Sequence, residues 1–211
     1  YNIIFHTDAV QAFGHIEIDV KKLGADMLSA SSHKFHGPKG CGFLYADKNT
    51  GIKPFIYGGG QERGQRSGTE NVPGILGMVK AAEISHRIMD ENNRKLRKIN
   101  DYMTDRILNE IDDCICNGNR ENRLSNNINI SFGNIDGKAL LVLLDMEGVY
   151  VSGASACNGG KEKSYVLSSL GVPEKYAEGT IRMTMDYTMN MKQADYVLNV
   201  LKKCVNYLRK K

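Results

Sequence analysis

The chain has 211 residues, 41% of them hydrophobic and 25% charged, enough apolar material for one large domain or two small ones. Its net charge of +4 is modest, and part of it sits in Arg209, Lys210 and Lys211, which suits a solvated helix end. No Lys/Arg stripe interleaved with aromatics, no apolar run of membrane-spanning length and no targeting segment appears, so a soluble, cytoplasmic protein with no nucleic-acid or membrane partner is expected.

The chain opens at Tyr1 without an initiator methionine, which predicts a piece of something longer. Asn2–Thr7 reads as a strand, Val20–Leu23 as a short helix, and Asp26–Ala30 and Gly42–Ala46 as further strands. Short strands with helical crossovers predict an α/β architecture with a parallel or mixed sheet. Ligands on such sheets bind beyond the carboxyl ends of the strands, where Asp8 and Lys34 fall. From Pro73 the texture changes. Ile75–Met89 and Asn92–Ile111 carry apolar residues at helical spacing, with Asp90 as a cap between them. Asn127–Phe132 alternates as a strand, Lys138–Met146 reads as a helix, Val149–Ser152 and Thr180–Met185 as strands, and Gln193–Leu208 as an amphipathic closing helix. That order suits a small α+β domain.

The five cysteines, Cys41, Cys114, Cys116, Cys157 and Cys204, are odd in number and scattered, unlike a disulfide framework. Cys114 and Cys116 share one face of a strand, but no second pair or nearby histidines accompany them, and no metal site is expected.

Four constellations carry chemistry. Asp8, in the run His6-Thr7-Asp8-Ala9-Val10-Gln11, reads alone as a helix N-cap. Lys34, in Ser31-Ser32-His33-Lys34-Phe35-His36-Gly37-Pro38-Lys39-Gly40, reads alone as part of a surface turn. Together they supply what a pyridoxal cofactor needs: a Schiff-base lysine, an acid for the pyridinium nitrogen, and phosphate donors in Ser31 and His33. The third is the glycine-rich run from Gly58 to Asn71. The fourth is Val151-Ser152-Gly153-Ala154-Ser155-Ala156-Cys157-Asn158-Gly159-Gly160, where small residues and glycines around Cys157 suit an exposed, swinging loop.

The runs HTDAVQ and SSHKFHGPKG resemble the cofactor segments of cysteine desulfurases, in the class V aminotransferase group of fold type I pyridoxal-phosphate enzymes. The run from Gly58 to Asn71 resembles that family's GGGQERGxRxGTEN segment, and SGASAC resembles its SxGSAC motif. Thr180-Ile181-Arg182 is similar to the family's substrate-carboxylate motif, for which a guanidinium fork is well shaped.

The resemblance implies residues 1–88 as the C-terminal part of the large mixed-sheet cofactor domain and 89–211 as a small α+β domain carrying the cysteine loop. It implies Lys34 as the cofactor lysine, Asp8, Gln11, Ser31 and His33 as cofactor ligands, and Thr69 as a ligand to the partner subunit's cofactor phosphate in a homodimer. Arg182 is implied to bind the carboxylate of L-cysteine, and Cys157 to take its sulfur as a persulfide, releasing alanine. The sulfur would pass to an iron–sulfur scaffold or another acceptor. The run Asn158–Lys163 is a residue shorter than the family's and lacks its Leu-Glu-Pro element. The family's ring-stacking histidine and phosphate loop belong to an N-terminal half, so this stretch alone is expected to hold little cofactor and to be inactive. The competing readings are a class V aminotransferase, a selenocysteine lyase and a non-catalytic fragment; the SGASAC loop argues against the aminotransferase, which needs no nucleophilic cysteine.

Overall fold

The computed structural model describes residues 3–153 and 164–210. The chain divides into two compact units, Tyr1–Asp90 and Glu91–Lys211.

The first unit is built on strands β1 (His6–Asp8), β2 (Met27–Ser31) and β3 (Gly42–Ala46), side by side in that order. β1 runs parallel to β2, and β3 antiparallel to it, so the sheet is mixed. Helix α1 (Val20–Leu23) lies in the β1–β2 connection, its N-cap Asp19 accepting from the Lys21 and Lys22 amides. β2 alternates as a half-buried strand does, with Leu28 and Ala30 inward. Beneath them Phe13 meets Phe35 and Phe43 edge-on, each at 4.9 Å between ring centres. The first half of helix α2 (Val72–Glu110) closes this core with Ala81, and Ser85 Oγ donates to the Phe35 carbonyl at 3.3 Å.

The second unit carries strands β4 (Cys114–Cys116), β5 (Asn127–Phe132) and β6 (Thr180–Thr184), all antiparallel, with β5 central. Ile128, Ile130 and Phe132 of β5 and Ile181 and Met183 of β6 point to one face. Against it pack Ile99, Met103 and Ile107 of α2, Leu140 and Leu144 of α3 (Gly137–Met146), and Leu198, Leu201 and Val205 of α6 (Met191–Arg209). These helical residues recur three or four apart, the spacing that puts one stripe against a sheet. α6 opens with a capping box between Asn190 and Gln193. Two short helices, α4 (Tyr165–Ser169) and α5 (Glu174–Ala177), precede β6. α5 is tied down where Lys175 Nζ and Tyr176 Oη donate to Asp113 Oδ1 at 3.0 and 2.7 Å.

Several expected boundaries move. Asp90 is no cap: it sits inside α2, one continuous helix of 39 residues. The polar run from Asp90 to Lys95 contains neither Gly nor Pro, so nothing in it stops a helix held by tertiary packing. Pro73 falls in the first turn, where its missing N–H costs nothing. The strand expected at Asn2–Thr7 spans His6–Asp8, because the Asp26 carboxylate takes the Phe5 N–H at 2.8 Å in place of a ladder partner. The strand expected at Val149–Ser152 reduces to a single bridge at Ser152. Among the described residues, no helix is long and apolar enough to cross a membrane.

Candidate functional site

In the first unit β1 and β2 run parallel, with Asp8 level with Ser29, so both strands deliver their carboxyl ends to the same edge. Asp8 is the last residue of β1 and Ser31 the last of β2. A tight 3-10 turn, Ser32–Phe35, follows at once and carries His33 and Lys34. The topology thereby brings Asp8, Ser31, His33 and Lys34 to one end of the sheet.

Each is held locally. Ser31 Oγ and His33 Nδ1 are hydrogen-bonded at 2.9 Å. The turn is anchored from below by buried Phe35, and His15 Nε2 lies 3.0 Å from the Lys34 carbonyl. The turn ends at His36, in the left-handed region at φ 69°. Gly37 follows because a side chain cannot fit: a Cβ there would stand 2.0 Å from Ser32 Oγ. Among the described residues no side-chain hydrogen bond or ion pair engages the Lys34 ammonium. Asp8 does not cap a helix. Its Oδ1 accepts from Val10 N–H at 2.9 Å at the head of a series of turns, on which Gln11 is exposed.

The glycine-rich run forms a loop closed on itself. Gln61 Oε1 accepts from Gly68 N–H at 3.2 Å, and Glu62 and Arg63 adopt left-handed conformations between them. Thr69 is exposed on this loop. Asn71, which sequence reasoning passed over, starts α2 by accepting from Gly74 N–H at 3.1 Å.

In the second unit Arg182 lies at the middle of β6, opposite Asn129 of β5. On its other side Ser152 N–H donates to the Arg182 carbonyl at 3.0 Å, and Arg182 N–H to the Ser152 carbonyl at 2.6 Å. Gly153 follows, and a Cβ there would meet Leu141 Cδ1 at 2.9 Å. Cys157 lies outside the described residues. Of the other thiols, burial pushes Cys114 up to about 11 and also raises Cys204. Cys114 Sγ donates to the Ile111 carbonyl at 3.0 Å, which suits a thiol and not a thiolate. Sequence reasoning also missed the polar residues Asn129 and Ser131 on the face opposite the core. Their signal was the alternation Asn127-Ile128-Asn129-Ile130-Ser131-Phe132, which leaves a second, polar face.

The first unit thus presents an amine, a carboxylate and a hydroxyl–imidazole pair at the carboxyl edge of a mixed sheet. The class-V aminotransferase profile matches residues 1–197, and the chain belongs to that family. The "Cysteine desulfurase IscS" of Dictyoglomus turgidum is 48% identical over 210 residues, covering 99% of this chain and 53% of the relative. A solved structure described as "NIFS-LIKE PROTEIN" superposes with a TM-score of 0.88 at 37% identity, covering 97% of this chain and 53% of the other. Another, "SspA in complex with cysteine", gives a TM-score of 0.66 at 34% identity over 87% of this chain and 50% of the other. The chain spans about half the length of the curated relatives it matches.

The donor set fits pyridoxal phosphate in kind. Lys34 could offer an amine to an aldehyde, Asp8 a carboxylate to a ring nitrogen, and the Ser31–His33 pair polar hydrogens to a phosphate.

Proposed function

We propose that this chain belongs to a pyridoxal-phosphate-dependent cysteine desulfurase, which removes sulfur from L-cysteine, releases L-alanine and keeps the sulfur as a persulfide on Cys157. The observation that carries the reading is the gathering of Asp8, Ser31, His33 and Lys34 at one sheet edge, in a chain similar to cysteine desulfurases.

When bound, pyridoxal phosphate supplies an electron sink for the bonds at the substrate's α-carbon. Lys34 would hold it through Nζ. Asp8 would keep a proton on the ring nitrogen by offering a carboxylate to it. Gln11 would donate to the ring's phenolic oxygen, and Ser31 and His33 to the phosphate. Thr69 would reach the phosphate bound by a second subunit of a homodimer. Phe55 and Tyr57, at 95% and 78% exposure just before the Thr69 loop, support an interface in that region.

Arg182 orients the substrate through its carboxylate. The Cys157 thiolate attacks the substrate's sulfur. The carbon–sulfur bond breaks, its electron pair stays with the carbon skeleton and is protonated there, and the sulfur remains on Cys157. An acceptor protein then takes it for iron–sulfur cluster assembly or thiolation. Residues 1–88 supply part of the cofactor domain and residues 89–211 the domain of the sulfur-carrying loop. Free Cys41, Cys114, Cys116 and Cys204 support a reducing, cytoplasmic setting.

Borohydride reduction of the cofactor-loaded holoenzyme, followed by peptide mapping, tests the assignment of Lys34. The pyridoxyl group is expected on Lys34; its recovery on Lys39 or another lysine would overturn it.

A further inference from the structure

The polar face of the second unit's sheet carries a hydrogen-bonded chain that ends beside Arg182. Asn129 stands directly opposite Arg182 in the β5–β6 register, so the two side chains share a face. It is the face turned away from the core made by Ile128, Ile130 and Ile181. The Asn129 amide is engaged at both ends. Its Oδ1 accepts from Asn117 Nδ2 at 2.6 Å, and its Nδ2 donates to the Ile181 carbonyl at 3.3 Å. The Asn117 amide also donates to Ser131 Oγ at 2.7 Å, and Ser131 Oγ meets Thr180 Oγ1 at 2.5 Å.

The chain of contacts thus crosses from the end of β4 through β5 and seizes β6 at Thr180 and Ile181, the two residues before Arg182. Asn117, Ser131 and Thr180 are at most 4% exposed. Within this network the Asn117 Oδ1 alone is buried without a hydrogen-bond partner; burying so many amide and hydroxyl groups costs free energy even where the rest are partnered, and an apolar packing would avoid that cost. A partnered polar network is more directional than an apolar one, and direction is what a guanidinium fork needs to meet a carboxylate. The opposite edge of Arg182 is already pinned by Ser152.

We infer that Asn129 is a positioning residue for substrate recognition: it holds the β6 backbone at Ile181 so that the Arg182 fork faces the carboxylate of L-cysteine. The inference rests on the role given to Arg182 above. Asn117 orients the Asn129 amide, and Ser131 and Thr180 fix the same stretch of strand one step further from the arginine.

The test is a double-mutant cycle in the cofactor-loaded holoenzyme, with Asn129→Ala, Arg182→Ala and the double variant, reading KM and kcat for L-cysteine and the thermal midpoint of each. Asn129→Ala is expected to raise KM about tenfold with kcat little changed, the size of one lost orienting hydrogen bond. In the Arg182→Ala background the same substitution is expected to add nothing. An unchanged KM, or an equal rise with and without Arg182, would overturn the inference and leave Asn129 a structural residue. An Arg182→Ala enzyme with normal KM would instead sink the role of Arg182 itself, a result read without reference to Asn129. Should Asn129→Ala not fold, Asn129→Ser, which keeps a polar side chain but cannot reach the Ile181 carbonyl, runs the same cycle with the same outcomes.

Discussion

Ser152 and Arg182 exchange both backbone hydrogen bonds, at 3.0 and 2.6 Å, although no strand surrounds Ser152. The bridge joins the residue proposed to hold the substrate carboxylate to the root of the segment that carries Cys157. A Cβ at Gly153, where the chain leaves the bridge, would stand 2.9 Å from the flexible tip of Leu141. The residue proposed to orient the substrate and the start of the segment that carries Cys157 therefore share one anchor.

Breaking that anchor is the first prediction. Ser152→Pro removes the N–H that donates to the Arg182 carbonyl. Turnover of L-cysteine is expected to fall by about tenfold or more, with cofactor absorbance retained. Normal turnover with an intact fold, read by circular dichroism, would show that the bridge does not matter to catalysis.

A second prediction concerns thiol reactivity. Burial holds Cys114 near 11, so at pH 8 only about one molecule in a thousand carries its thiolate. Burial also raises Cys204. Brief alkylation of the holoenzyme with iodoacetamide at pH 8 is expected to spare both and to mark Cys157 first. Labelling of Cys114 or Cys204 ahead of Cys157 in the folded protein would contradict the assignment.

The third is a pH dependence. Tyr176, and after it Lys175, hold the Asp113 carboxyl below the usual carboxylate range. A depressed folded value gives stability that is complete above the unfolded value, about 3.9, and is lost as pH falls through the folded one. Thermal midpoints followed from neutral to strongly acidic pH are expected to fall more steeply for the wild type than for Asp113→Asn. Equal acid slopes would show that the α5 anchor does not depend on this charge.

Much of this was legible in the chain because it depends on local pattern. Val20–Leu23, Gly42–Ala46 and Asn127–Phe132 were bounded correctly from periodicity alone. The failures came where a distant group overrode the local signal. Asp26 reached back to Phe5 and displaced the first strand, and packing carried α2 through Asp90. Asp8 and Lys34 were legible as candidates because strand ends and a Ser/His turn mark them. The setting of Arg182 was not: Asn117, Asn129, Ser152 and Thr180 meet there from far-apart positions, and no spacing in the sequence announces the meeting.

The central claim is that Cys157 receives the sulfur. The direct measurement is persulfide mapping by mass spectrometry after the holoenzyme is treated with L-cysteine, alongside a Cys157→Ala variant that still binds cofactor. The account predicts the persulfide on Cys157 in the wild type, and no alanine or sulfide from the variant. A persulfide on Cys41, Cys114, Cys116 or Cys204, or undiminished alanine production by the variant, would contradict it.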